Sequence, residues 1–326
     1  MRLPQPLLES QYFLYTSLGE LSRALGDAAR PEELEEIERL VLLDLPPVSS
    51  RLQLATIFGV NPGLIWSFEN RTRKHYRSFF IPKGQTTRRI DAPKVALKVI
   101  QKWLSVHLSH GFKPADHVYG FVSARSHIQA ATLHVDAQWV FSVDIQDFFP
   151  TTPIQLVSDS LEAIGFGRDG AMLVARLSCL AGFLAQGAPT SPVLSNICFR
   201  VIDEALIAIA ARYNIRLTRY ADDIVFSGTE EYPAQLETDV RALFSVGPWT
   251  LAEHKVRVNK LPERLKVHGL LVHGPKIRLT KGYRNKLRAY RHLMAHEKVA
   301  EADIAKIKGH LNYAASVDKV RDASED

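Results

Sequence analysis

An apolar run from Trp139 to Val143 stops at Asp144, which reads as a buried strand ending on a carboxylate. Leu217 to Ser227 is β-prone on both sides of Ala221-Asp222-Asp223, which predicts two short strands, with both acids in the turn that joins them. Helical spacing fills the interval. Pro153 to Ile164 is expected as a helix, with Thr152 as its N-cap and Pro153 at its first position. Ala171 to Phe183 and Ser195 to Tyr213 also read as helices, the latter started by Ser195-Asn196. Residues 7–45 predict two helices, the second opening with Pro31 and a run of acids that reads as a solvated face. After Lys281 the pattern is again mostly helical. The expectation is an α+β domain over residues 1–245, followed by a smaller basic domain over 246–326.

The 326 residues are 46% hydrophobic and 23% charged, which excludes a disordered chain. The two cysteines, Cys179 and Cys198, lie in apolar segments away from any metal or disulfide pattern, which points to a reducing, cytoplasmic setting. Neither a signal core nor a membrane-spanning run is read, so no membrane association is expected. The net charge of +6 is unevenly spread. Arg71 to Trp103 holds ten basic residues against Asp91 alone, and Lys255 to Arg291 holds twelve against Glu263 alone. Two such blocks around a more neutral middle suit the walls of a nucleic-acid channel.

The carboxylates give this channel a chemistry. Acids in a turn are commonplace. An Asp at the end of a buried strand is costly unless paired or bound to a cation. If Asp144 shares a sheet edge with Asp222 and Asp223, three like charges crowd together, and divalent cations are the natural compensation. Oxygen ligands point to Mg²⁺, with Mn²⁺ as an alternative, and a pair of ions suits nucleotidyl transfer.

Tyr220-Ala221-Asp222-Asp223 resembles the YxDD signature of reverse transcriptases. Other blocks of that family follow in order: Ile81 to Pro93 resembles the fingers segment and Asp144 to Pro150 the first palm aspartate block. Gln186 to Pro192 with Leu194-Ser195-Asn196 resembles the QGxxxSP block, and Leu251 to Val258 the palm lysine block. Among reverse transcriptases the chain most resembles the bacterial retron group. Ala130-Ala131-Thr132-Leu133-His134 stands where that group has NAxxH, with Ala130 for Asn; Val267-His268-Gly269 stands at its VTG element, with His268 for Thr. The resemblance implies a right-hand polymerase fold, with fingers, a palm whose antiparallel sheet carries the catalytic Asp residues, and a small, mostly helical thumb.

It also implies roles. Asp144, Asp222 and Asp223 would be catalytic metal ligands. Lys83 and Arg88, with Arg89 as a substitute for Arg88, would meet the incoming triphosphate. Asp147 would lie near the nucleotide's sugar and triphosphate, or else cap a helix. Phe149 would exclude a 2′-OH, one ring of the Phe148-Phe149 pair being left to pack the core. Gln186 and Gly187 would lie under the nucleotide. Lys255 would be a general acid for pyrophosphate or a phosphate contact. His134, read as structural rather than catalytic, and Tyr220 would lie at the RNA or primer. Lys276, Arg278, Lys281, Arg284, Arg288 and Arg291 would follow RNA or hybrid phosphates, and Tyr283 and Tyr290 would stack on bases or pack in the core. The implied activity is RNA-directed DNA synthesis from dNTPs on a structured noncoding RNA, giving single-stranded DNA linked to RNA. Antiphage defence and an effector protein follow from the resemblance alone. Three alternatives stay open: a reverse transcriptase of another defence or diversity-generating group, an RNA-dependent RNA polymerase, and an RNA-binding scaffold with a dead site.

Overall fold

A computed structural model describes residues 5–84, 86–296 and 299–322. In chain order its strands are β1 (Tyr76–Lys83), β2 (Thr86–Pro93), β3 (Trp139–Asp144), β4 (Cys179–Leu180), β5 (Phe183–Leu184), β6 (Arg216–Tyr220), β7 (Asp223–Gly228), β8 (Arg257–Lys260), β9 (Lys266–Val267), β10 (Leu270–Leu271) and β11 (Arg278–Leu279). The chain forms two compact units, each assembled from separated stretches. None of the described helices is long and apolar enough to cross a membrane.

The first unit comprises Met1–Ala115, Gln146–Asp203 and Val246–Trp249. It is mainly helical, with the antiparallel hairpins β1–β2 and β4–β5. The helix Val95–Gly111 buries Leu97, Ile100, Leu104 and Leu108, the one-sided spacing of an amphipathic helix. Trp103 on that face meets the Phe58 ring edge-on at 5.3 Å and donates from Nε1 to Ser10 O at 2.9 Å.

Several helix boundaries depart from expectation. Residues 7–45 carry helices Leu18–Leu25 and Pro31–Leu42 after a short one at Gln5–Glu9. Thr152 caps nothing: its buried hydroxyl donates to Phe148 O at 2.7 Å and accepts from Trp249 Nε1 at 3.0 Å, so the helix begins at Ile154 with Pro153 as its N-cap. The helix expected over 171–183 runs instead from Arg168 to Ser178. Ala181 and Gly182, with φ of 53° and 88°, then turn β4 back into β5. The helix expected from Ser195 begins at Ser191, with Pro192 in its first turn, and breaks at Phe199 before Arg200–Tyr213. Ser195 and Asn196 are therefore buried inside a helix and do not start one.

The second unit comprises Asp116–Ile145, Glu204–Ser245 and Thr250–Asp326. Its antiparallel sheet has the order β6-β7-β3-β8. Side chains alternate across it. One face carries Phe141 and Phe226, stacked at 6.1 Å. On the other face Val140 and Val225 enter a core with Ile128, Ala131, Leu265, Val267, Leu270 and Val317. The three-stranded sheet β11-β10-β9 and the helices Lys281–Ala295 and Glu301–Asp322 complete this unit.

His134 braces the four-stranded sheet from that second face. It is fully buried, with Nδ1 2.7 Å from Ser227 Oγ on β7 and Nε2 2.8 Å from Thr218 Oγ1 on β6. Burial, aided by the charges of His268 and Arg216, pushes its pKa down to about 3. The folded ring therefore stays neutral while the unfolded ring takes up a proton near its ordinary value, so stability falls as pH falls between the two. His134→Leu leaves two buried hydroxyls unpaired and is expected to lower stability at pH 7.5 by about 1–3 kcal/mol. The gap from wild type should narrow below about pH 6.5, by up to roughly 1.4 kcal/mol per pH unit. Urea denaturation across pH measures this, and a gap independent of pH would refute it.

Candidate active site

Strand register brings the acids together. Asp144 and Asp223 are cross-strand partners on β3 and β7, so their side chains rise from one face of the sheet. Asp222 reaches them from the turn Ala221-Asp222, closed by the Tyr220–Asp223 pair. Only Asp222 lies in the turn; Asp223 converges through its register, a difference from the expectation that both acids occupy the turn. Ile145 N donates to Asp222 O at 3.0 Å and Ala252 N to Asp144 O at 2.8 Å, which ties the backbone of this sheet end in place.

The turn is tightly supported. Ala221 has a φ of 58°, a conformation that side-chain-bearing residues seldom adopt. Gly120 lies against it so closely that a Cβ there would stand 2.1 Å from Ala221 N. Tyr119 N donates to Arg219 O at 2.7 Å, and the fully buried Arg219 donates from Nη1 to Ala221 O at 3.0 Å. Sequence reasoning passed over Gly120 and Arg219. A cation inside a β-prone run, next to the paired acids, was the available signal.

The electrostatics match the crowding. Burial, reinforced by the charge of Asp144, raises the Asp222 pKa above the ordinary carboxylate value, and the more weakly felt Lys255 opposes the shift. Asp144 and Asp223 have each taken a basic partner. Lys255, on the turn Glu253–Lys255, places Nζ 2.7 Å from Asp144 Oδ1. His268 donates from Nδ1 to Asp223 Oδ2 at 3.0 Å. Among the described residues no group of three His, Cys, Asp or Glu side chains is already arranged to hold a metal ion. The site as it stands sets three carboxylates against two basic side chains.

The second unit also holds the other candidates expected to meet RNA. His134 is the exception, since it is sealed in the core with both nitrogens occupied and presents nothing to a nucleic acid. The Tyr220 ring packs between His268, at 5.5 Å, and His127, at 5.9 Å. Arg284, Arg288 and Arg291 share one exposed face of the helix Lys281–Ala295 and, with Lys281, Leu287 and Asp318, line a groove of about 430 Å³. Arg278 is exposed and Lys276 half-buried. Tyr283 and Tyr290 both pack on His310, with ring centroids at 5.7 and 5.3 Å.

The remaining candidates belong to the first unit. In the β1–β2 register Lys83 pairs with Thr86 and Ile81 with Arg88, so Lys83 and Arg88 share a face of the hairpin. Arg89 lies on the opposite face, 3.0 Å from Asp91 Oδ1, and is no substitute for Arg88. Gln186 O accepts from Asp91 N at 2.8 Å, which docks the Gln186-Gly187 loop on β2. Gly187 has a φ of 126°, and a Cβ on it would meet Ile90 Cγ2 at 2.9 Å. Asp147 is exposed, with a φ of 46°, and its side chain caps no helix. Phe148 is the ring of its pair that packs inward, against Phe199 and Trp249 at 5.6 and 5.9 Å; Phe149 stacks on it half-exposed.

Comparison with known proteins bears on this arrangement. A family described as "Reverse transcriptase (RNA-dependent DNA polymerase)" matches residues 81–299. The chain is 30% identical to the retron Mx65 reverse transcriptase of Myxococcus xanthus, over 94% of this chain and 76% of that protein. It is 26% identical to the retron Ec86 reverse transcriptase of Escherichia coli, over 74% and 77% of the two chains. To the retron Mx162 reverse transcriptase of Myxococcus xanthus it is 30% identical, over 72% of this chain and 56% of the relative. The paired acids on their antiparallel sheet thus stand in a right-hand polymerase fold, and the chain belongs to the reverse transcriptases, as an RNA-directed DNA polymerase of the retron type.

Proposed function

We propose that Asp144, Asp222 and Asp223 together hold two Mg²⁺ ions, and that the enzyme copies part of a structured noncoding RNA into single-stranded DNA that stays linked to RNA through a 2′-OH of that RNA. Reverse transcriptases use divalent metal ions, a template RNA and dNTPs; the number and kind of ions and the linked product are our reading. The observation that carries it is the strand register that sets Asp144 beside Asp223, with Asp222 in the adjoining turn, so that three carboxylates meet only two bases; burial and the charge of Asp144 raise the Asp222 pKa in keeping with that crowding. All-oxygen donors at such a site fit a hard divalent cation.

When bound, the ions would neutralise charge on the attacking and departing oxygens of nucleotidyl transfer. The chain's own residues do the rest. Lys255, oriented by Asp144, holds a proton at Nζ for the departing pyrophosphate. Lys83 and Arg88, on one hairpin face, offset triphosphate charge. Phe149, stiffened by its stack on the anchored Phe148, stands against a ribose 2′-OH. Gln186 and Gly187 give the nucleotide a close backbone surface, and Asp147 lies toward its sugar and triphosphate. Tyr220 faces the primer end. Lys276, Arg278, Lys281, Arg284, Arg288 and Arg291 follow the phosphates of the RNA or hybrid. On the reading of the two cysteines we place the enzyme in the cytoplasm, and from its resemblance to the retron group we propose antiphage defence with an effector protein as its role.

Four experiments test this reading. Purified protein with template RNA, Mg²⁺ and dNTPs should synthesise DNA, and Asp222→Ala should lower incorporation by about a thousandfold or more with RNA binding intact. Equal inactivity of wild type and variant, with RNA still bound, would favour the scaffold; nucleic acid recovered with the protein and lacking a 2′-linked branch would refute the retron product. Phe149→Val should raise use of ribonucleotides relative to deoxynucleotides by roughly tenfold or more, and unchanged selectivity would remove Phe149 from that role. Asp222→Asn removes a charge whose ionisation the fold disfavours, so in metal-free buffer at pH 7 it should raise the melting midpoint by roughly 1–3 °C. That gain should vanish in acid, where the wild-type carboxyl is protonated too. Added Mg²⁺ should stabilise wild type more than the variant; the opposite order would count against the metal site.

A further inference from the structure

The turn between β9 and β10 consists of His268 and Gly269, closed by the Val267–Leu270 pair. Their φ values are 47° and 85°, so both central residues are in the left-handed region, as in a type I′ turn. His, Asn and Asp enter that region more readily than most residues. The turn delivers the imidazole to Asp223 with Nδ1 3.0 Å from Oδ2. The ring's side chain is 6% exposed, and its Nε2 is buried without a partner. A buried unpaired nitrogen is destabilising, so the ring's place is set by what its other nitrogen and its faces do. Tyr220 packs against it at 5.5 Å; Tyr220 in turn meets His127, whose ring stacks on Tyr313 of the helix Glu301–Asp322 at 5.6 Å.

We infer that His268 is a positioning residue for Asp223: its Nδ1–H fixes the carboxylate by engaging Oδ2 and leaves Oδ1 for a cation. This rests on the reading of Asp223 as a metal-holding carboxylate. Asp144 is treated alike by Lys255, so each strand acid has one oxygen engaged by a base of its own unit. The two bases differ in one respect. Lys255 is a flexible chain that can leave with a proton, whereas His268 is a rigid ring on a two-residue turn, buried and braced by Tyr220. Its contribution is orientation rather than proton transfer.

Turn geometry supplies the test, because Asn-Gly, Asp-Gly and Gly-Gly all suit this turn. His268→Asn keeps a donor next to Cγ, where Nδ1 stood. His268→Gly and His268→Asp remove the donor. Each variant is compared with wild type by Mn²⁺ binding to the free protein, followed by EPR, and by single-nucleotide turnover at saturating template and dNTP; thermal melting and RNA affinity report on folding. His268→Gly and His268→Asp should lower turnover by about tenfold or more, and His268→Gly should weaken Mn²⁺ binding by about threefold or more, with RNA affinity unchanged. His268→Asn should restore turnover and Mn²⁺ binding to within about twofold of wild type. The inference is overturned if His268→Gly matches wild type in both readouts, or if His268→Asn is as defective as His268→Gly. Asp223→Asn separates the two levels. If it keeps wild-type turnover, the reading of Asp223 itself fails; if it is inactive while the His268 variants behave like wild type, only the positioning role fails.

Discussion

Like-charge repulsion at one end of a four-stranded sheet is the constraint around which the second unit is organised. Register forces Asp144 and Asp223 onto a common face, and the neighbouring turn adds Asp222. A fold that places three carboxylates so closely must counter their repulsion. The bases come from later in the chain: Lys255 from the turn before β8 and His268 from the turn after β9. The neutral His134, held by hydroxyls, and the buried Arg219, donating to the turn carbonyl, stiffen the strands that carry the acids without altering their count.

The elements that carry chemistry were the easiest to read from the chain. β3 ends at Asp144 and the β6–β7 hairpin flanks the paired acids, because a sharp change from apolar to acidic at a strand end is a local signal. Helix limits were harder to read. Thr152 looks like a cap, yet Phe148 O in the preceding turn and the remote Trp249 claim its hydroxyl. Ala181-Gly182 is a weak turn signal inside an apolar stretch, so β4–β5 read as the tail of a helix. The supports of the site were hidden for a related reason. Gly120 matters because it lies against Ala221, and His268 because a turn carries it to Asp223; both are facts of pairing between remote segments. The family blocks marked where the reactive groups lie, but the residues that steady them are visible only in three dimensions.

The two basic blocks take different forms. The earlier one includes a hairpin whose alternation separates Arg88 from Arg89, so that neighbouring cations in sequence serve opposite faces. The later one ends in a helix whose spacing gathers Arg284, Arg288 and Arg291 on one side. Period two divides charge and period three to four collects it. Neighbouring cations thus divide between two faces on a strand and line up in a stripe on a helix.

The order of strands in the four-stranded sheet also governs when this protein can come into being. β3 sits between β7 and β8, both encoded far downstream of it. Such pairing between distant segments is slow to nucleate and waits until the chain has been made through Lys260. While the polypeptide emerges from the ribosome, Asp144 waits for its neighbours, and the residues that temper its charge arrive last. Until β7 and β8 have been made, β3 carries edges whose protection is not yet built.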